Sequence, residues 1–463
     1  MYRLGIDVGE TNTDAVLLDS YSRIVQTVKK PTSPDIGSGL YTVLEEIIER
    51  NQTDPKDIAA VMIGTTYCLQ ALKKKENLSG VCVIRIGNGK NAVPPLFEGN
   101  NSLRRCVMSD YLEIDGGHEV TGRPLGVMDY SQIERFFFHW LGKEPIEAVV
   151  ITGTFSPMNP EHETMAASHV RSIVGADIPI TLSHEIGSIG FIERENASII
   201  NALLSKPMDR ALHRLQSVLQ HFGINGDIYF TQNDGSLMSY EHALRYPIRT
   251  LWSGITNSLL GSSFLTGLKN SIVVDVDGSS VHVALLENGF PKEKRRSQLI
   301  DGVRVNVPMP DIVSLPFEPE QLNRDEFLER LYQVIQRFQP RYEPLPVIFV
   351  GDGGQQLAER FHYPWADIIV PDYHQYVNAI GACIAPVSGY IDRMVWVDPF
   401  NQNQALYSAI NEAKHRAISA GANPKTVIVQ EAKAIPLAYV PSKALRVRVK
   451  VIGTLSFSSK GGM

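Results

Sequence analysis

The chain has 463 residues, more than a single hydrophobic core usually serves, so two or three domains are expected. Its 43% hydrophobic and 20% charged residues are ordinary for a water-soluble globular chain, and a net charge of −6 gives no basic footprint for nucleic acid or an anionic membrane. No apolar run approaches the length of a membrane span and the N-terminus has no signal-like start, so cytoplasmic residence is the expectation.

Leu4 to Asp19 reads as two β-prone runs around a turn of Gly9, Glu10, Thr11, Asn12 and Thr13, with Asp7 near the end of the first run. Such a turn can aim backbone N–H groups and hydroxyls at an anion, and Asp7 can hold a hydrated Mg²⁺ beside it. Leu40, Val43, Leu44, Ile47 and Ile48 mark one face of a helix. Ala59–Thr66 and Gly80–Ile86 read as buried strands, and Arg85 to Asn101 as a loop. Ile133, Phe136, Phe137, Trp140 and Leu141 form a second helical stripe whose aromatic content suits a core. Ala148–Thr152 is a strand that meets Pro157 and Pro160. Ser183-His184-Glu185 follows another strand, and His184 with Glu185 is a candidate acid–base pair beside the simpler option of a hydrogen-bonded loop histidine. Cys68, Cys82, Cys106 and Cys383 form no CxxC pair and read as reduced thiols.

The first hairpin recurs. Ser271 to Asn288 reads SIVVDVDGSSVHVALLEN, and Asp275 aligned with Asp7 brings Ser279 onto Thr11 and Ser280 onto Asn12. A repeated strand, aspartate, hydroxyl-rich turn and strand predicts two similar lobes facing one ligand. Residues 287 to 320 carry Pro291, Pro308, Pro310, Pro316 and Pro319 and are expected to be irregular. Gly351-Asp352-Gly353-Gly354 opens a helix after a strand, a seat for a phosphate or for the face of a base. Asn378–Ala385 is a small-residue helix. A helix near 403–420 capped by Gly421 follows, then a strand with Leu445, Val447, Val449 and Val451 inward and Arg446, Arg448 and Lys450 outward.

The paired hairpins resemble those of the actin, sugar-kinase and heat-shock-ATPase superfold. Further stretches narrow the likeness: GIDVGETNTDAVLLD, IGTTYCLQAL, the NPEHE loop, LSHEIGSIGFIERENASIINALL, TQNDGSLMS, RTLWSG, VVDVDGSS, VGDGG, NAIGACIA and the tail IPLAYVPSKALRVRVKVIG. In order and spacing they resemble the hydantoinase A/oxoprolinase family over nearly the whole chain, in its short form without a fused second subunit. That resemblance implies an α/β, two-lobed, actin-like (ribonuclease H-like) ATPase fold with a central cleft. It further implies lobes at residues 1–190 and 191–390 and a C-terminal helix–strand segment at 391–463. It implies ATP and Mg²⁺ as cofactors and ring opening of a cyclic amide such as a hydantoin, lactam or 5-oxoproline, after phosphorylation of the ring carbonyl. Asp7 and Asp275 would arrange metal and water. Gly9, Thr11, Asn12, Thr13, Gly278, Ser279 and Ser280 would bind phosphates, and Gly351, Gly353 and Gly354 the nucleoside. A separate hydantoinase B-type subunit is the implied partner, with homo-oligomers open.

Two departures stand out. The family's hairpins carry Asp-x-Gly-Gly, whereas here Glu10 and Asp277 each replace a glycine. The expected penalties are resistance to positive φ and charge repulsion of a triphosphate, roughly 3 kcal/mol per unit pair at about 5 Å and an effective dielectric near 20. Ser314-Leu315-Pro316-Phe317-Glu318 stands where the family tends to show a glycine-rich run. These departures leave open a scaffold or regulatory subunit that no longer turns over ATP, and fold alone leaves open a sugar or acid kinase.

Overall fold

The structure is a computed structural model. It describes residues 1–33, 36–51, 53–88, 93–98, 101–108, 110–140, 142–143, 146–294, 297–318, 325–340, 342–396, 402–437 and 444–456. Leu141, Pro319 and parts of the 85–101 loop and of the C-terminal stretch 436–453 lie outside the described residues.

The first eight strands are β1 (Tyr2–Val8), β2 (Asn12–Leu18), β3 (Ile24–Pro31), β4 (Ile58–Thr65), β5 (Val81–Ile86), β6 (Leu112–Ile114), β7 (Ala148–Gly153) and β8 (Ile180–Leu182). Then come β9 (Asp227–Thr231), β10 (Leu237–Ser239), β11 (Ser271–Asp277), β12 (Ser280–Glu287), β13 (Phe290–Pro291), β14 (Gln298–Ile300), β15 (Val303–Val305) and β16 (Ile312–Pro316). The last are β17 (Val347–Gly351), β18 (Ile368–Ile369), β19 (Val387–Trp396), β20 (Ile428–Pro436) and β21 (Ala444–Gly453).

Two sheets repeat one topology. In the first, β3–β2–β1 is an antiparallel meander, and β4 then β9 add in parallel on the other side of β1. In the second, β16–β12–β11 is the meander, and β17 then β18 add in parallel beyond β11. The strand that carries each of the two aspartates is therefore the central strand of the repeated five-strand unit. This duplication is the two-lobed actin-like (ribonuclease H-like) architecture. Strands β1, β4, β11 and β17 are almost wholly buried, as parallel strands covered on both faces by helices must be.

Sheet membership does not divide the chain at residue 190. β9 pairs with β4, and β10, β19, β21 and β20 extend the first sheet, so residues 227–239 and the strands of the C-terminal segment belong to it. Residues 287 to 320, expected to be irregular, contain β13 to β16. Pro291 sits in the two-residue strand β13, and Pro316 closes β16 opposite Ser280.

Arg446, Arg448 and Lys450 do alternate with the apolar residues of β21, but Lys450 is buried and the two arginines are half-buried, all three in ion pairs. Lys450 is 4% exposed and pairs with Asp234 at 2.9 Å. Arg448 pairs with Glu293 at 2.9 Å and Arg446 with Asp392 at 2.6 Å. Glu293 follows β13 of the second sheet, so this charged seam ties the two lobes together.

A smaller all-parallel sheet, β6–β5–β7–β8, is inserted between β4 and β9. The helices Ser253–Thr266 and Val377–Ile384 cross in tight contact between the lobes. A methyl group on Gly381 would fall 1.9 Å from Asn257 O, and one on Gly261 2.2 Å from Val377 O. Gly5 of β1 meets the second helix as closely, 2.2 Å from Ala379 O. Only glycine fits these crossings. Gly381→Ala is therefore expected to destabilise the protein by about 1–3 kcal/mol through overpacking, read as a lower urea midpoint with an unchanged slope.

Candidate active site

The two hairpin turns meet. A methyl group on Gly278 would lie 3.1 Å from Thr11 Cγ2, which places the β11–β12 turn against the β1–β2 turn. Asp7 and Asp275, 4% and 2% exposed, thus face one cleft from the C-terminal ends of the two central strands. Asp7 Oδ1 and Asp275 Oδ1 are buried with no hydrogen-bond partner among the described residues. Gly64 of β4 and Gly351 of β17 form the floor. Methyl groups there would strike Asp7 Oδ1 at 2.5 Å and Asp275 Oδ1 at 2.7 Å.

Two side chains that the sequence did not single out complete the cleft. Asp14 stands opposite Asp7 on β2 and opposite Lys29 on β3, on the same face as Asn12. Lys29 Nζ donates to Asp14 Oδ2 at 2.9 Å and to Asp352 Oδ1 at 2.7 Å, and Asn12 Nδ2 donates to Asp352 Oδ2 at 2.8 Å. Lys29 and Asn12 of the first lobe thereby clasp the first aspartate after β17 of the second. Strand alternation placed Asp14 beside Asn12 in principle; Lys29 and Asp352 meet only through the fold.

The cleft is strongly acidic. Burial, then the charges of Asp14, Asp277 and Asp275, push Asp7 up to about 8 against Lys29. Burial, with Asp277 and Asp352, pushes Asp275 up to about 7. Burial raises Asp14 to about 7 even with Lys29 beside it. Asp277 is raised by burial, then by Asp352 and, among other charges, Glu10.

The other expected site residues distribute unevenly. Gly9 sits in the first turn, its N–H donating to Asn12 O. Ser279 and Ser280 border the second turn, where Ser279 O accepts from Phe317 N–H and Ser280 pairs with Pro316. Gly353 packs on Val276, and a methyl on Gly354 would lie 3.2 Å from the Phe349 carbonyl carbon. Thr13 differs: its hydroxyl bonds Thr32 Oγ1 at 3.0 Å, on the face of β2 opposite Asp14, because successive strand side chains alternate. The expected backbone penalty of the two exchanged glycines is absent. Neither Glu10 nor Asp277 has positive φ, and Gly278 keeps the left-handed position at φ +50°. The charge penalty remains.

A second polar cluster lies at the C-terminal edge of the four-stranded parallel sheet. Glu163, fully buried, accepts from Gly153 N–H at 2.7 Å, the Ser183 hydroxyl at 2.5 Å and the His184 backbone N–H at 3.1 Å, and it meets His184 Nδ1 at 2.5 Å. Burial alone would raise Glu163, but the bond and charge of His184, with Arg194, hold it below its usual range. The partner of His184 is thus Glu163 and not Glu185. Glu185 instead accepts from Arg245 at 2.6 Å and from the Tyr246 hydroxyl at 2.9 Å. Adjacent residues on the short helix Ser183–Ile186 point apart, which the sequence pairing overlooked.

The comparisons with known proteins agree with this geometry. The model of the hydantoinase/oxoprolinase N-terminal region matches residues 3–174, and that of hydantoinase/oxoprolinase matches residues 194–316. The chain belongs to the hydantoinase/oxoprolinase family. The caprolactamase subunit alpha of Pseudomonas jessenii is 25% identical over 352 residues, 68% of this chain and 47% of that protein. The acetophenone carboxylase gamma subunit of Aromatoleum aromaticum is 26% identical over 355 residues, 67% of this chain and 46% of that one. The chain thus spans less than half the length of these relatives. Among solved structures, the ATP-dependent caprolactamase from Pseudomonas jessenii superposes with a TM-score of 0.76 at 17% identity, covering 98% of this chain and 88% of that one. Nucleotide-free acetone carboxylase gives 0.71 at 14%, with the same coverage. Both share the fold.

The raised aspartates set a pH dependence. The pKa of Asp7 in the folded state, about 8, lies above its unfolded value of 3.8, so over that window the folded chain holds a proton that the unfolded chain has lost. The stability this contributes is complete below about pH 4 and is lost as pH rises through about 8. Asp7→Asn is expected to flatten the fall in melting temperature between about pH 5 and pH 8, measured by scanning calorimetry; a slope equal to wild type contradicts this.

Proposed function

We propose that this chain is the ATP-dependent subunit of a cyclic-amide hydrolase acting on hydantoin-, lactam- or 5-oxoproline-like rings. One observation carries the proposal: the two hairpin turns touch, with Asp7 and Asp275 entering one cleft from the central strands of duplicated sheets. ATP supplies a phosphoryl group to the ring carbonyl oxygen, which makes an unreactive amide carbon open to attack by water. The C–N bond then breaks, the nitrogen takes a proton and phosphate departs. Positioning and charge neutralisation carry most of such chemistry.

In this reading Gly9, Thr11, Asn12, Gly278, Ser279 and Ser280 face the phosphates, and Gly351, Gly353 and Gly354 the nucleoside. The orphaned oxygens of Asp7 and Asp275 fit a cation, and their low exposure keeps bulk water from screening it. Among the described residues no three His, Cys, Asp or Glu side chains are gathered to ligate one ion. Asp7 and Asp275 would therefore hold Mg²⁺ largely through its waters, as that ion prefers. Asp352 would have to release Asn12 and Lys29 on nucleotide entry, freeing an amide and an ammonium for phosphate oxygens. The relatives named as subunits support a separate partner chain, proposed to be of hydantoinase B type, with a homo-oligomer also compatible. Cytoplasmic residence is part of the same proposal; among the described residues no helix is long and apolar enough to cross a membrane.

The crowding of Asp277, Asp352 and Glu10 favours one second reading, a scaffold or regulatory subunit that has lost triphosphate binding. Calorimetric titration separates the two. The enzyme reading expects Mg²⁺-dependent ATP binding in wild type, and at least tenfold tighter binding in Glu10→Gly/Asp277→Gly as two repulsive charges leave. Ring opening would follow once a partner subunit is added. Binding seen only in the double variant supports the scaffold, and no binding in either form rejects nucleotide chemistry here.

A further inference from the structure

Three arginines lie near the junction of the inserted sheet with the first lobe, and two are fully matched. Arg85 makes a bidentate pair with Glu195 at 2.6 and 2.5 Å. Arg194 donates to Gly153 O at 2.6 Å, Ser183 Oγ at 2.8 Å and Ser188 O at 3.1 Å, beside the Glu163 charge. Arg249, on the single 3₁₀ turn Pro247–Thr250, is different. Among the described residues no carboxylate comes within ion-pair distance of it. Its guanidinium makes only two long contacts, with His242 Nε2 at 3.4 Å and Glu185 O at 3.3 Å, and lies 5.0 Å from the centre of the Tyr246 ring.

The nearby carboxylates are already engaged. Glu185 is held by Arg245 and Tyr246, and Asp234 by Lys450. His242 cannot supply a charge either, since burial, with Arg249 and Arg245, pushes it down to about 3. Arg249 is only half-buried, so part of its guanidinium stays open to solvent, where a planar carboxylate can meet it in bidentate geometry. Here the cation is held in place while its donors are spent on weak, neutral acceptors.

The turn that carries Arg249 is fastened to the wall of the cleft. Asn233, just past β9, donates its backbone N–H to Arg249 O at 2.7 Å and its side-chain amide to Ile248 O at 3.0 Å, and accepts from Trp252 N–H at 2.9 Å. The next residue, Ser253, donates its hydroxyl to Thr65 O at 3.3 Å, one residue beyond Gly64 on the cleft floor.

We propose that Arg249 is an oxoanion-binding residue that takes the carboxylate of a ring-amide ligand, and the reaction context of that ligand rests on the function proposed above. Hydrolysis of a cyclic amide creates a carboxylate where the ring carbonyl stood, and some ring amides carry one beforehand; the planar guanidinium fork suits either source.

The test is equilibrium binding without nucleotide, so that it does not depend on ATP turnover. The probes are 2-pyrrolidinone (a neutral ring), 5-oxoproline (the same ring with a carboxylate) and 4-aminobutanoate (the opened ring). At least one acid is expected to bind wild type tenfold or more tightly than the neutral ring, and which acid does so identifies the source of the carboxylate. Arg249→Gln should abolish that preference, while Arg249→Lys, which keeps the charge without the fork, should retain part of it; circular dichroism checks that each is folded. Should Arg249→Gln fail to fold, the wild-type comparison of acids with neutral ring and the Arg249→Lys result decide. Equal affinity for all three probes, no binding of either acid at millimolar concentration, or an Arg249→Gln protein that binds the acids like wild type overturns the proposal. A positive result with no ATP binding would sink the proposed function and leave the Arg249 site standing.

Discussion

The structure depends on bringing two buried carboxylates toward each other across a cleft. Asp7 and Asp275 each lie near the C-terminal end of the central strand of a repeated five-strand unit, and each strand is almost wholly buried. Burial, and after it the charges of Asp14 and Asp277 on Asp7 and of Asp277 and Asp352 on Asp275, disfavour the ionised forms and raise both carboxylates. Lys29 is the main local answer, and it answers Asp14 and Asp352 directly rather than Asp7 or Asp275. The architecture therefore stores an electrostatic demand that metal and nucleotide together are suited to meet.

Other features make this arrangement affordable. The small-residue crossing at Gly261 and Gly381 lets two helices pass between the lobes at near-contact, which fixes the spacing of β1 and β11. The seam of Arg446, Arg448 and Lys450 against Asp392, Glu293 and Asp234 joins the lobes a second time, away from the hairpins. Breaking one partner of such a buried network leaves an uncompensated charge, so it holds a particular lobe geometry more than it adds net stability. The Asn12–Asp352 and Lys29–Asp352 contacts are of another kind. They are more exposed, they span the mouth of the cleft, and they occupy groups that a phosphate would use.

The exchanged glycines illustrate how local and tertiary effects separate. From sequence, Glu10 and Asp277 threatened both backbone conformation and charge. The backbone threat vanished because neither residue occupies the left-handed region, which falls to Gly278. The charge threat persisted because Asp277 faces Asp352 and Glu10 across the turn contact. The turn of the Thr13 hydroxyl toward Thr32 and the separation of His184 from Glu185 share one reason. Neighbours in sequence point to different faces, and only Asn12 and Asp14, two apart, share one.

By itself the sequence determined the repeat: two aspartates at strand ends, each followed by a turn of Gly, Ser, Thr or Asn, and the family stretches in order. Those are local signals, carried by period-two burial and turn chemistry, and they do not need the rest of the chain to be read. The tertiary structure decided everything that joins distant segments: the C-terminal strands completing the first sheet, Lys29 bridging to Asp352, Glu163 orienting His184, and Arg249 left without a carboxylate within ion-pair distance among the described residues. These pairings arise from packing across the sheet layers, where residues hundreds of positions apart become neighbours, and a one-dimensional pattern holds no record of that.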